Sequence, residues 1–193
     1  EEGVDTSSIH IAHCPERVLP GHIMRELVEN DRIVGGTTLE ATKAVAEFYR
    51  SFVTGEVLKT DARTAEMAKL TENSFRDVNI AFANELSILC DKFKIDVWEL
   101  IRLANRHPRV SILQPGTGVG GHCIAVDPWF IVHEGEEDAR IIRAAREIND
   151  YKTHWVTKRI LEEVENFKKS NEREPTVACM GLAFKPNIDD LRE

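Results

Sequence analysis

Cys123 and Asp127 stand four residues apart at the end of a glycine-rich stretch, Gly116-Thr117-Gly118-Val119-Gly120-Gly121-His122-Cys123-Ile124-Ala125-Val126-Asp127-Pro128. A thiol presented on such a loop can be a nucleophile, and a carboxylate beside it can activate water. Gly116, Gly118, Gly120 and Gly121 occupy four of six positions. That many glycines carry a large ordering entropy, which makes sense where backbone closes on a ligand or takes φ > 0. The alternative at this level is a tight turn around a buried thiol, since free cysteine is among the most buried residue types. Lys69 and Asn73 form a second pair, at i and i+4 of a segment with helical periodicity. Their side chains leave one helix face with Cβ atoms roughly 5–6 Å apart. There the ammonium can stabilise an oxyanion and the amide can fix a hydroxyl or a water, although an arbitrary helical lysine is usually solvated.

Three other chemistries compete for these residues. Gly116, Gly118 and Gly121 spell GxGxxG, but a dinucleotide-binding turn follows a strand and opens a helix. Here Pro115 enters the loop, and Val126-Asp127-Pro128-Trp129 reads as a sequence that does not continue into a regular helix. No other GxGxxG occurs in the chain. If the parent protein binds NAD, its phosphate loop is expected upstream of Glu1. His122 adjoins Cys123, but sequence neighbours rarely face each other as a hydrolase pair. His10, His13, Cys14, His122 and Cys123 suggest a metal, but HxxHC on a strand splits its ligands between two faces, so no metal site is expected.

The elements that must position these groups are legible in outline. Ser8–Cys14, Arg32–Gly36 and Glu56–Lys59 read as strands, and Glu40–Thr54 carries apolar residues at helical spacing. The last three make a β-α-β slice of a doubly wound sheet. From Asp61 to about Phe93 no glycine or proline interrupts, which predicts one helix roughly 45–50 Å long. Further helices are expected over Val97–Asn105 and from about Asp138 to Lys169. Long helices of this kind pack either against a copy of themselves or into a monomeric bundle. Thr176–Phe184 is a continuous apolar run of the type found in buried parallel strands. Both ends read as if cut from a sheet, so the chain is expected to be a fragment of a longer protein. Cys14, Cys90 and Cys179 are assigned to the core.

Composition excludes several classes of function. A formal net charge of −8 disfavours nucleic acid as a partner, and no apolar run approaches the roughly 20 residues of a membrane span. Four widely separated cysteines without CxxC or a leader read as reduced thiols in the cytoplasm.

Several segments together carry a resemblance. They are Cys14-Pro15-Glu16-Arg17-Val18-Leu19-Pro20-Gly21, the Lys69/Asn73 helix, Asn105-Arg106-His107-Pro108-Arg109, the glycine loop and Gly181-Leu182-Ala183-Phe184-Lys185-Pro186-Asn187-Ile188-Asp189-Asp190-Leu191-Arg192-Glu193. In this order, over nearly the whole chain, they resemble the UDP-glucose/GDP-mannose dehydrogenase family. The resemblance implies an α/β plus all-α organisation. Residues 1–60 would be the last part of a Rossmann-type NAD domain and 61–170 a helical domain that dimerises through the long helix. Residues 171–193 would be the first strand of a UDP-sugar-binding domain.

It implies as activity a four-electron oxidation of a sugar C6 alcohol to a carboxylate with two NAD. In that chemistry Cys123 forms a thiohemiacetal and then a thioester, and Lys69 stabilises the oxyanion. Asn73 and Asp127 position and activate water or the alcohol, and Glu16 assists hydrolysis. Substrate contacts fall on Arg17, Arg109, Gly118, Gly120, Gly121, His122 and Lys185, and an NAD contact on Arg192. Arg109 corresponds to an arginine that reaches substrate in a neighbouring subunit. Two departures weaken glucose as the sugar. Ile124-Ala125-Val126 stands where that branch has Leu-Pro-Lys, and Pro20 stands where it has a second glutamate. The expected substrate is UDP-N-acetyl-D-mannosamine, with UDP-glucose or another UDP-hexose, or a non-catalytic dimerising fragment, as alternatives.

Overall fold

The computed structural model describes residues 9–18, 21–181 and 183. The chain divides into two compact units, Glu1–Glu72 and Asn73–Glu193, with the boundary inside a helix.

The first unit is a small sheet with one helix across it. Strands β1 (Ala12–His13), β2 (Arg32–Gly36) and β3 (Val57–Asp61) lie in that order, β1 antiparallel and β3 parallel to β2. Helix α1 (Ile23–Glu29) precedes β2, and α2 (Leu39–Arg50) makes the crossover to β3. Thr38 starts α2 by accepting the Ala41 N–H at 3.1 Å, and Thr42 Oγ1 accepts the Gly36 N–H at 3.0 Å, so the helix is stitched back onto the strand it follows. Val34, Ala41 and Ala46 are buried between the layers. Gly35 must lack a side chain, because a Cβ there would collide with the Asp61 carbonyl and the Ala65 methyl. Asp61 then turns strand directly into helix by accepting the Thr64 N–H at 3.0 Å and its hydroxyl at 2.6 Å.

The β-α-β slice and the long helix stand as the sequence predicts. Helix α3 runs from Ala62 to Phe93, a rise of about 48 Å. It ends where Lys94 takes φ 59°, and Asp96 caps α4 (Val97–Ala104). Helix α6 spans Arg140–Ser170.

Within the second unit, α3 and α6 meet along a polar seam. Arg146 Nη1 donates to Asp77 Oδ1 at 2.7 Å, and Asn149 Nδ2 donates to the same oxygen at 2.8 Å. Asn84 Nδ2 donates to Asn149 Oδ1 at 2.8 Å, Lys152 Nζ to Ser87 Oγ at 2.6 Å, and Arg159 pairs with Asp91 at 3.4 Å. Positions on the two helices rise together, so the helices run parallel here. Asp77, Asn84, Arg146, Asn149 and Lys152 are all buried. Burial pushes the Asp77 carboxyl up from its ordinary range in spite of Arg146, and lowers the Lys152 ammonium.

Four expectations need correction. Among the described residues the N-terminal strand is two residues long, Ala12–His13, where the sequence reading had Ser8–Cys14, and it pairs antiparallel with β2. The glycine loop does open a helix, α5 (Asp127–Gly135), because Pro128 sits in the first turn, where its missing N–H costs no bond. Thr176–Gly181 is not strand but irregular and exposed, with no strand beside it among the described residues to complete a ladder; the rest of that run lies largely outside them. Cys179 is accordingly exposed and Cys14 only half-buried, whereas Cys90 is buried as expected.

The seam makes a stability prediction. Asp77→Leu takes the buried partner from Arg146, leaving its guanidinium only the more exposed Asp150 at 2.6 Å, and should destabilise the chain by about 3 kcal/mol. Asp77→Leu combined with Arg146→Met should recover most of that loss in denaturant unfolding, whereas independent effects would simply add.

Candidate active site

Cys123 lies in the turn over residues 122–126 that feeds α5, and its side chain is exposed. The Cys123 carbonyl accepts the Val126 N–H at 3.1 Å and the Asp127 N–H at 2.8 Å. Thiol and carboxylate are thus one helical turn apart on a locally rigid frame. Asp127 is half-buried at the start of α5, and Asn73 Nδ2 donates to its Oδ2 at 2.5 Å. Asn73 itself is buried on α3, so one carboxylate oxygen is held while the other stays open to act on a water or hydroxyl proton. The structure brings together three of the predicted site residues here: Cys123, Asp127 and Asn73.

The loop before the thiol is anchored where the sequence reading named no anchor. The Gly116 N–H donates to Asn84 Oδ1 at 2.8 Å, and Thr153 Oγ1 donates to the Thr117 carbonyl at 3.0 Å. Gly118 takes φ +153° and lies so close to α6 that a Cβ would strike Thr153 Oγ1. Gly121 takes φ +88° and is buried. The glycines therefore answer two demands, a left-handed backbone and a close approach to a helix. Asn84 and Thr153 belong to this site, and no spacing or motif in the sequence singled out either of them.

Arg109 is on another loop of the same unit. Asn105 clamps that loop, accepting the Ile112 N–H at 2.7 Å and donating to the Ile112 carbonyl at 3.0 Å, which leaves Arg109 exposed. His122 is exposed beside the thiol.

In the first unit Lys69 is half-buried on α3, one turn before Asn73, and its ammonium makes no ion pair among the described residues. Glu16 is heavily engaged. Its carboxylate accepts the Arg17 and Val18 N–H groups at 2.7 and 2.9 Å and takes Arg32 Nη1 on both oxygens at 3.0 Å. Arg32 is buried. Burial pushes the Glu16 carboxyl up, but the Arg17 N–H, the Arg32 guanidinium and the Val18 N–H more than reverse it, leaving it below its ordinary range. Arg17 pairs with Glu72 at 2.9 Å. Lys185 and Arg192 lie outside the described residues.

Comparison with known proteins places this geometry. Residues 63–151 match the central-domain model of the UDP-glucose/GDP-mannose dehydrogenase family, and residues 1–53 match its NAD binding domain model. An NDP-N-acetyl-D-galactosaminuronic acid dehydrogenase of Ralstonia nicotianae is 64% identical over 98% of this chain and 44% of its own length. A UDP-N-acetyl-D-mannosamine dehydrogenase of Campylobacter jejuni is likewise 64% identical, over 98% of this chain and 45% of its own. Among solved structures, the UDP-N-acetyl-mannosamine dehydrogenase of Staphylococcus aureus superposes with a TM-score of 0.81 at 48% identity, covering 95% of this chain and 42% of that one. The chain thus spans a little under half the length of the relatives it matches.

Two measurements probe the local geometry. Gly118→Ala should cost about 1–2 kcal/mol from its φ and its collision with α6, and Thr153→Ala in the same chain should return part of it. For Glu16, whose folded pKa is depressed, the stabilisation is present above its ordinary titration range and is lost as pH falls through the folded pKa. The stability difference between wild type and Glu16→Gln should therefore be about 1 kcal/mol or less at pH 7, given its exposure to solvent, and close towards acid pH in paired thermal melts.

Proposed function

Because the chain belongs to the UDP-glucose/GDP-mannose dehydrogenase family, we propose that the protein oxidises the C6 alcohol of UDP-N-acetyl-D-mannosamine to the carboxylate with NAD as acceptor. The observation that supports this most directly is the exposed Cys123 thiol, one turn from an Asp127 carboxylate held by Asn73.

The chemistry requires those groups. Asp127, held by Asn73, orients the alcohol and takes its proton as the first oxidation gives an aldehyde. An aldehyde carbon has no hydride to give until it is made tetrahedral, so the Cys123 sulfur adds to it. The S–H proton passes to solvent as the C–S bond forms, and the carbonyl π pair moves to oxygen, where the resemblance assigns the Lys69 ammonium to offset the charge. The second oxidation returns that carbon to a carbonyl, now a thioester. Asp127, with the help that the resemblance assigns to Glu16, directs water onto it; the C–S bond breaks, the sulfur takes up a proton, and the acid leaves with the thiol regenerated.

NAD, when bound, accepts one hydride per molecule, and two are consumed for each sugar. The residues fit it as far as they reach. The parallel pair β2–β3 presents its carboxyl ends at Gly36 and Asp61, the edge at which doubly wound sheets receive ligands. No GxGxxG lies in residues 1–72, and the contact assigned to Arg192 stays an assignment by resemblance. Substrate contacts at Arg17, Arg109, Gly118, Gly120, Gly121, His122 and Lys185 rest on the same footing, as does the division into residues 1–60, 61–170 and 171–193. A cytoplasmic setting keeps the thiol reduced.

A homodimer through α3 is part of the proposal. Phe75, Phe82, Leu89 and Phe93 recur at intervals of seven, seven and four and are exposed, an apolar stripe suited to a second copy. Arg109, held out by its clamped loop, would then serve the neighbouring site. The Ralstonia relative favours a second reading of the sugar, an N-acetylgalactosamine derivative, at equal identity.

In the full-length enzyme Cys123→Ala should abolish NADH production with UDP-N-acetyl-D-mannosamine. The wild-type enzyme, assayed against UDP-N-acetylmannosamine, UDP-N-acetylgalactosamine and UDP-glucose, should form two NADH per acid with the first. Retained turnover to the acid in Cys123→Ala would overturn the reading, and preference for another sugar would move it to that sugar.

A further inference from the structure

We propose that Asn84 and Thr153 are positioning residues that set where the Cys123 thiol stands, by pinning the loop entrance from two helices. The inference rests on the reading of Cys123 as the nucleophile.

The entrance is fixed at three consecutive residues. Gly116 gives its N–H to Asn84 on α3, Thr117 takes the Thr153 hydroxyl on its carbonyl, and Gly118 lies against Thr153 and the Asn149 carbonyl on α6. The exit is fixed at Asp127 by Asn73. Residues 119–126, with Cys123 among them, run between these points. A displacement of either end moves the sulfur relative to the carboxylate, and misplacement by about 1 Å can cost on the order of a hundredfold in rate.

Asn84 is oriented by a chain of bonds that has a single direction. Arg146 and Asn149 both donate to Asp77 Oδ1. With its amide nitrogen spent on Asp77, Asn149 can offer Asn84 only its oxygen. Asn84 must then donate to Asn149 and present its own oxygen to the loop. A carboxylate can only accept while ionised, so Asp77 sets the polarity of both amides, and the chain ends on a loop donor, the Gly116 N–H. Asn84 and Asn149 are fully buried, where a misdirected amide would leave two facing oxygens. None of these residues touches the thiol, so they act through the backbone.

Loss of this positioning should impair thiol capture of the aldehyde more than the first oxidation. Asn84→Leu and Thr153→Val in the full-length enzyme should lower the rate of acid formation about tenfold or more, with KM for the UDP-sugar changed less than about threefold. Aldehyde trapped by hydroxylamine should appear, and the NADH-to-acid ratio should rise above two. Amide hydrogen exchange over residues 116–126 should quicken, and Thr153→Ser, which keeps the hydroxyl, should behave as wild type. Thr153 is exposed, so its variants carry the test if Asn84→Leu does not fold. A ratio that stays at two with unchanged exchange overturns the positioning role, whatever the rate. Acid formation by Cys123→Ala would instead overturn the nucleophile reading beneath it.

Discussion

The buried contact between Asp77 on α3 and Arg146 and Asn149 on α6 is the constraint on which the second unit depends. A carboxylate that carries no exposed surface is tolerable only with its donors in place, and those donors come from a helix some seventy residues away in sequence. Two apolar helix faces can slide by a turn at small cost. Two faces carrying Asp77–Arg146, Asn84–Asn149, Ser87–Lys152 and Asp91–Arg159 cannot, because a slip would break every pair together. The register of α3 on α6 is therefore chosen by polar complementarity, in keeping with the use of buried polar groups to specify register.

That register is what the glycine loop is built on. Its entrance bonds go to one residue from each helix, Asn84 and Thr153, and its exit bond goes to Asn73 three turns earlier on α3. The loop supplies little rigidity of its own, since glycine widens the backbone's choices. It borrows rigidity from the helices and uses the glycines to lie close to them. The result is a thiol at the surface whose backbone is nonetheless closed into a turn with Asp127.

The four cysteines show how environment separates residues of one type. Cys90 is buried on α3 and Cys179 is exposed on an irregular segment. Burial pushes the Cys14 thiol up from its ordinary range, against the opposing pull of Tyr49, the Gly35 backbone and Arg32. Among the described residues, Cys123 combines exposure with a carboxylate one turn away. In the first unit Glu16 shows the same dependence on surroundings, because the Arg17 N–H, the buried Arg32 and the Val18 N–H outweigh burial and hold its carboxyl below the ordinary range.

Much of the fold was legible because it is local. The β-branched and glycine composition of Arg32–Gly36, the helical periodicity after Thr38 and the uninterrupted stretch before Phe93 each specify their element through neighbours a few residues apart. Cys123, Asp127, Lys69 and Asn73 were likewise visible by type and spacing, and the family by the order of its segments. The sequence pattern could not show that α5 begins at Asp127, since a proline reads as a stop until its place in the first turn is known. Nor could it show that Thr176–Gly181 stays irregular, since a strand exists only with partners. The bond from Asn73 to Asp127 and the chain from Asp77 through Asn149 and Asn84 to Gly116 join residues 32 to 72 positions apart. Sequence determined which groups could do the chemistry; the tertiary structure alone decided which of them meet, because a hydrogen bond is fixed by geometry that only packed helices supply.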